Sequence, residues 1–150
     1  MVNWKLRRAE PRDAPAIAYC IDAAYQPHVS SLERSTSQME GNYTEVIELY
    51  DVWVAVDQGQ IIGWLVLIPK QGHMLLANIA VRPEYQGKGV GRAMLELADD
   101  EALKQGYREI RLHVNRAMTE TLEMYRRSGW TEIQSDEQLV HKISMRKLLL

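Results

Sequence analysis

The chain has 150 residues, of which 46% are hydrophobic and 25% are charged, and its formal net charge is −2. This length and composition predict a single globular domain, residues 1–150, and argue against disorder. Because the charge is nearly balanced and no block of like charges occurs, nothing in the sequence favours binding to nucleic acid or to an anionic membrane.

The first part of the chain predicts one strand and two helices. Residues 3–9 alternate in a way that predicts a half-exposed strand. Asp13 is placed to cap a helix that has Pro15 in its first turn. The apolar stripe of that helix includes Cys20, which we interpret as a small core residue. Residues 28–50 predict a loop followed by an amphipathic helix, and such segments often determine specificity.

Cysteine and hydropathy patterns indicate the compartment. Cys20 is the only cysteine in the sequence, so no internal disulfide can form. No apolar segment follows the charged first ten residues, which predicts the absence of a signal peptide. The longest apolar run, Ile61 to Ile68, is too short to span a bilayer. Together these features predict a cytoplasmic protein.

The middle of the chain predicts three strands. Residues 51–57 and 60–69 are rich in β-forming residues on either side of Gln58-Gly59, which predicts a hairpin. Gly63 inside the second strand predicts a bulge or a close approach of another backbone. Residues 73–82 are apolar on both faces, as expected for a strand covered on both sides. Asn78 is the one polar interior side chain of this strand.

The remaining predicted elements are, in order, a helix to about Gln105, a strand at 109–115, a helix ending at Gly129, and strands at 130–134 and 139–146. The full order is βααβββαβαββ. It predicts an α+β fold with a mixed, mostly antiparallel sheet of about seven strands and helices on both faces.

A glycine-rich turn, residues 86–91 (QGKGVG), joins the fourth strand to the long helix. The first amides of a helix have no intrahelical acceptor, and glycines allow an anion to approach the main chain closely. We therefore interpret the turn as a diphosphate site. A Walker A loop would need Ser or Thr after Lys88, where Gly89 stands. The G-x-G-x-G spacing also differs from the dinucleotide fingerprint.

The turn, preceded by Val81-Arg82-Pro83, resembles the coenzyme A loop of the GCN5-related N-acetyltransferase (GNAT) family. Two other stretches are similar to family motifs: Asp13-Ala14-Pro15-Ala16-Ile17 after the first strand, and Tyr125-Arg126-Arg127-Ser128-Gly129-Trp130. The order of elements is similar too, so the resemblance covers nearly the whole chain. It implies the acyl-CoA N-acyltransferase fold.

The resemblance implies how the co-substrate acetyl-CoA would bind. The amides of the turn would hold the diphosphate. The main chain of the fourth strand would pair with pantetheine beside a splay between the fourth and fifth strands, and an amide of Ile79 or Val81 would polarise the thioester carbonyl. The implied contacts are Ile79, Ala80, Val81, Gln86, Gly87, Lys88, Gly89, Val90, Gly91 and Arg92. Many members have an Asn where this chain has Met118, so either Asn115 substitutes or that contact is absent.

The same resemblance implies the catalytic groups. Tyr125 matches the tyrosine that protonates the leaving thiolate, and a nearby phenol is a suitable acid for that task. Some members carry a carboxylate base on the fourth strand, and this chain has none there. The base is therefore open: His113 ranks first by its ordinary pKa, while Asn78 could position a water. Glu40 or Glu45 could also act as the base.

The predicted function is direct transfer of the acetyl group, through a tetrahedral intermediate, to an amine that is a small molecule. Tyr43 and Glu40 are the candidate acceptor contacts. Three alternatives stay open: a protein or peptide acceptor, an acyl-CoA sensor without turnover, and a nucleotide or phosphometabolite site at the same helix terminus. The other histidines show no partner pattern, so we predict no metal site. Many relatives pair, which leaves a homodimer open.

Overall fold

The computed structural model describes residues 4–25, 42–134 and 141–149. Several predictions fall outside these ranges. They concern the candidate acceptor residue Glu40, most of the loop predicted after the first helix, and the first two residues of the strand predicted at 139–146.

Seven strands and four helices make up the described part of the chain. They are β1 Lys5–Arg8, α1 Ala14–Tyr25, α2 Tyr43–Leu49, β2 Asp51–Asp57, β3 Gln60–Pro69, β4 Met74–Val81, α3 Val90–Lys104, β5 Glu109–Asn115, α4 Thr119–Arg127, β6 Thr131–Ile133 and β7 Lys142–Leu148. Short 3₁₀ turns at Pro11–Asp13 and Pro83–Tyr85 precede α1 and α3. The predicted order of elements is confirmed.

The strands form one sheet in the order β1-β2-β3-β4-β5-β7-β6. The pairs β1–β2, β2–β3, β5–β7 and β6–β7 are antiparallel. The pair β4–β5 is parallel and consists of Met74 with Ile110 and Leu75 with Arg111. The predicted mixed, mostly antiparallel sheet is therefore confirmed.

The β2–β3 hairpin contains both features predicted from Gly63. The register skips Ile62, since Ala55 pairs with Gly63 and Val56 with Ile61, so Ile62 is a bulge residue. A Cβ on Gly63 would lie 3.1 Å from the Ala80 carbonyl oxygen. The backbones of β3 and β4 therefore approach closely, and a larger residue at position 63 would require the neighbouring atoms to shift.

Contacts divide the chain into two compact units. The first comprises Met1–Leu67 and Asn78–Leu97, and its buried side chains include Ile17, Cys20 and Trp64. The second comprises Ile68–Ala77 and Ala98–Leu150, with Ile110 and Met145 among its fully buried side chains. That residues 1–150 act as one domain stays a prediction.

Asp13 caps the start of the helix, as predicted, through a capping box with Glu10, and it also pairs with a side chain of β1. Its carboxylate accepts two hydrogen bonds from the Arg7 guanidinium, at 2.8 and 3.0 Å, and one from the Glu10 amide at 2.7 Å. The 3₁₀ turn before α1 brings these groups together, and the Asp13 side chain is only 9% exposed. The hydrogen bonds from Arg7 lower the pKa of Asp13. Asp13 thus fastens β1 to the start of α1.

We expect Asp13→Asn to lower the free energy of unfolding by about 2 kcal/mol at neutral pH, because Arg7 loses its charged partner. The folded pKa of Asp13 lies below its unfolded value, so the ionised pair stabilises the fold above that value. This stabilisation is lost as the pH falls through the folded pKa. Denaturant unfolding should therefore show the difference between wild type and variant shrinking in acid. Asp22→Asn, an exposed change on α1, is the control, and a pH-independent difference would contradict the assignment.

Candidate functional site

The turn between β4 and α3 presents a run of unsatisfied main-chain amides. Within the described part of the chain, the six amides from Gly87 to Arg92 have no acceptor. The first hydrogen bond of α3 runs from the Ala93 amide to the Gly89 carbonyl at 3.0 Å. The Gln86 amide already donates to the Pro83 carbonyl at 3.2 Å, so the available donors begin at Gly87.

Two glycines give this turn its shape and keep it accessible. Gly87 and Gly89 have φ of +78° and +90°, a region that other residues rarely adopt. A Cβ built on either residue would meet no heavy atom within 4 Å, so the space beside the amides is open. Since the amides lie at the positive end of the α3 dipole, the turn can bind an anion.

Side chains on both sides hold the turn in place. The Tyr85 hydroxyl donates to Asp57 Oδ2 at the end of β2, at 2.7 Å. The Gln86 side chain donates from Nε2 to the Val81 carbonyl at the end of β4, at 3.0 Å. Lys88 Nζ lies 5.6 Å from the centre of the Tyr85 ring. Sequence reasoning missed the roles of Asp57 and Tyr85, because 28 residues separate them.

Cys20 has the predicted character of a core residue. Its side chain is fully buried, and burial raises the pKa of the Cys20 thiol to about 12. A thiolate is therefore strongly disfavoured at neutral pH. This argues against Cys20 as a nucleophile.

The second half of β4 lies beside the turn in the first unit. Ile79 and Asn78 are half-buried and Ala80 is buried. The Val81 carbonyl accepts from the Gln86 side chain, and the Arg82 amide donates to the carbonyl of the bulge residue Ile62 at 2.8 Å. The pairing of β4 with β5 involves only Met74 and Leu75, which belong to the second unit. The implied pantetheine contacts stay predictions.

Tyr43 begins α2 in the first unit. Its ring meets Trp64 of β3 edge to face, with centroids 5.4 Å apart and an angle of 84°. Trp64 is fully buried. Contact with an acceptor remains a prediction for Tyr43.

Tyr125 is held near the end of α4 in the second unit. Its side chain is 5% exposed, and the centroid of its ring lies 5.7 Å from the centroid of the Trp130 ring. The Trp130 amide donates to the Tyr125 carbonyl at 3.0 Å, closing the helix around Gly129, whose φ is +96°. These contacts fix the tyrosine ring, while its role as an acid stays a prediction.

His113 and Asn115 lie on β5 in the second unit. His113 is exposed, and its Nδ1 is 2.9 Å from the hydroxyl of Ser144, its cross-strand partner on β7. Asn115 Oδ1 accepts from the Ala117 amide at 2.8 Å, so this oxygen stabilises the turn after β5. Sequence reasoning did not find Ser144, because only the β5–β7 register reveals the pair.

The described ranges contain neither a membrane-spanning helix nor a metal-binding cluster. None of the helices there has the length and apolar character needed to cross a membrane. Among the same residues, no group of three or more His, Cys, Asp and Glu side chains could hold a metal ion.

Comparisons of the sequence with known proteins identify one family. The family model for the acetyltransferase (GNAT) domain matches residues 48–132. The mycothiol acetyltransferase of Jonesia denitrificans is 33% identical over 88 residues, which cover 57% of this chain and 28% of that protein. The [ribosomal protein bS18]-alanine N-acetyltransferase of Escherichia coli is 40% identical over 57 residues, or 38% of each chain. The chain therefore spans well under half the length of these relatives.

Solved structures match over a greater length. The PaiA N-acetyltransferase of Thermoplasma acidophilum, solved in complex with coenzyme A, superposes with a TM-score of 0.82. The match covers 98% of this chain and 99% of the other, at 19% identity. At this identity the likeness concerns the fold.

We expect Asp57→Asn to lower the pKa of the Tyr85 phenol towards its ordinary value, because the hydrogen bond to the Asp57 carboxylate is what chiefly raises it. Phenolate absorbance followed against pH would detect the shift, with Tyr85→Phe identifying the Tyr85 component. The raised folded pKa means that this pair stabilises the fold at lower pH, and the stabilisation is lost as the pH rises through the folded pKa. If the component of the absorbance titration that Tyr85→Phe removes has the ordinary pKa of a tyrosine, the hydrogen bond to Asp57 is absent in solution.

Proposed function

Because the chain belongs to the GNAT acetyltransferase family, we propose that it transfers the acetyl group of acetyl-CoA directly to the amine of a small molecule. The observation that carries this proposal is the run of six amides from Gly87 to Arg92 beside two open glycines. The diphosphate of CoA is an anion of the kind that such a helix terminus binds.

Binding of acetyl-CoA under this proposal uses mainly the main chain. The turn amides hold the diphosphate, and Ile79–Val81 pair with the pantetheine arm as an added strand would. The family likeness to a protein solved with coenzyme A supports this assignment. Asn115 is a further candidate contact through its side-chain amide nitrogen.

Acyl transfer needs a base for the amine and an acid for the sulfur. His113 accepts a proton from the acceptor ammonium, and the neutral amine attacks the thioester carbonyl to form the C–N bond of a tetrahedral intermediate. Collapse of this intermediate breaks the C–S bond, and Tyr125 donates its phenolic proton to the departing thiolate. The second proton of the amine nitrogen passes through water to the Tyr125 phenolate, which leaves a neutral amide and restores the phenol. The hydrogen bond between Ser144 and His113 Nδ1 fixes the imidazole ring. Asn78 orients a water, and an amide of Ile79 or Val81 stabilises the carbonyl oxygen.

The acceptor class is tested by supplying labelled acetyl-CoA with small amines and, separately, with peptides bearing a free N-terminal alanine. The names of the two relatives differ, since one mentions mycothiol and the other an alanine of a ribosomal protein. We expect the labelled acetyl group to appear on the small amines. Labelling of peptides alone would favour the protein-acceptor alternative, and CoA binding without any acetyl transfer would favour a sensor.

We expect Gly89→Glu to abolish CoA binding, since a carboxylate beside the amides repels the diphosphate and occupies its space. Gly72→Glu is a matched control, because Gly72 also has a positive φ, +87°, and open space beside its Cβ position. Both variants carry the same backbone strain, so calorimetry should show lost binding only in the first. Unchanged affinity in Gly89→Glu would overturn the assignment of the turn.

We expect Tyr125→Phe to lower kcat about a hundredfold while the KM for acetyl-CoA stays close to wild type, because a general acid acts only as the thiolate departs. Phenylalanine retains the ring contact with Trp130. Tyr107→Phe is the control, since its hydroxyl donates to the Lys70 carbonyl at 3.0 Å. A parallel loss of kcat and of CoA affinity would show that Tyr125 serves structure or binding instead.

A further inference from the structure

One face of the sheet in the second unit carries a polar group of side chains. Lys147 of β7 contacts Asp99 of α3, with Nζ and Oδ2 2.6 Å apart, so α3 covers the face that carries Lys147. Because side chains alternate along a strand, Arg146 lies on the opposite face with its cross-strand partner Arg111. The two side chains are 42% and 37% exposed, so this face is open to solvent at these positions.

Arg111 and Arg146 share a single carboxylate. Glu109 Oε2 pairs with Arg111 Nε, and Glu109 Oε1 lies 3.5 Å from an Arg146 nitrogen. Two like charges directly opposite one another repel, and Glu109 offsets only one of them. Each guanidinium has five N–H donors, more than one carboxylate can satisfy. The trio therefore keeps a net positive charge in a chain whose net charge is −2.

A neighbouring histidine responds to this charge. Burial first, and then the charge of Arg111, lowers the pKa of His73, which directly precedes β4, while Glu109 acts in the opposite direction. The charge of Arg111 therefore reaches this neighbouring side chain. A local positive potential of this kind attracts an anionic group.

The arginine pair lies one step along the strands from the candidate base. His113 and Ser144 form the next cross-strand pair on the same face, two residues beyond Arg111 and Arg146. Two residues along a strand correspond to about 7 Å. A molecule whose amine lies at His113 can therefore place an anionic group several bonds away at the arginines.

We propose that Arg111 and Arg146 bind a carboxylate of the acceptor while its amine lies at His113, so that the preferred acceptors are amino acids whose amine and carboxylate are well separated. This inference rests on the proposed acetyl transfer. It assigns binding roles to two residues outside the motifs of the family resemblance, and it names the acceptor class.

The test compares ε-aminocaproate with its neutral amide as acceptors. The two amines are far from the altered group, so their own pKa values are similar. Wild type should favour the carboxylate in kcat/KM. Arg146→Gln should reduce kcat/KM for the carboxylate about tenfold, the effect of one exposed charge-assisted hydrogen bond, and leave the amide unchanged. Arg12→Gln, which removes an arginine with an 80% exposed side chain in the first unit, is the control.

Glu109→Gln should change kcat/KM for ε-aminocaproate in the direction opposite to that of Arg146→Gln. Removing the competing carboxylate frees both guanidiniums, so kcat/KM for ε-aminocaproate should rise while that for the amide does not. If the ion pairs served structure alone, both variants should lose kcat/KM for both acceptors. Equal use of the two acceptors by wild type would overturn the carboxylate site and leave the proposed acetyl transfer standing.

Calorimetric titration of ε-aminocaproate into the CoA-loaded chain measures carboxylate binding independently of turnover. Binding that Glu109→Gln strengthens and Arg146→Gln removes would support the site even where no acetyl transfer is seen. Absence of carboxylate binding to wild type would overturn it.

Discussion

The amides from Gly87 to Arg92, which have no acceptor among the residues that the structure describes, are the constraint on which the rest of the site depends. An amide without a protein acceptor is stable only where water or a ligand accepts its hydrogen bond. Gly89 precedes the first residue of α3 and has no side chain with which to cap the helix. The hydrogen bonds made by Tyr85 and Gln86 compensate, because they hold the turn from both sides while leaving its amides open.

Close packing between β3 and β4 supports the same region. The bulge at Ile62 turns its carbonyl towards the Arg82 amide, which directly precedes the turn. Gly63 then allows the Ala80 carbonyl to approach β3 without a clash. Because Ala80 belongs to the segment proposed to pair with pantetheine, the position of that segment depends on the absence of a side chain on the neighbouring strand. Stability and binding are therefore coupled here.

Local features of the chain were predictable and spatial pairings were not. The element order, the Gln58-Gly59 turn and the end of α4 before Gly129 follow from periodicity and turn chemistry, which act over a few residues. The capping role of Asp13 was predictable, but its ion pair with Arg7 was not, because Arg7 lies on a preceding strand. The pair His113–Ser144 depends on a strand register, and the pair Tyr85–Asp57 depends on how a 3₁₀ turn packs against the end of β2, neither of which one sequence reveals.

This contrast explains why the sequence indicates the donor more clearly than the acceptor. Main-chain recognition needs glycines and a helix start in consecutive positions, so it leaves a motif in the sequence. Recognition of an acceptor by Arg111, Arg146 and His113 would use single side chains on two strands, with Arg146 33 to 35 residues away from the other two. Such positions can change without disturbing the turn. The names of the relatives agree with this, since one mentions mycothiol and another an alanine of a ribosomal protein.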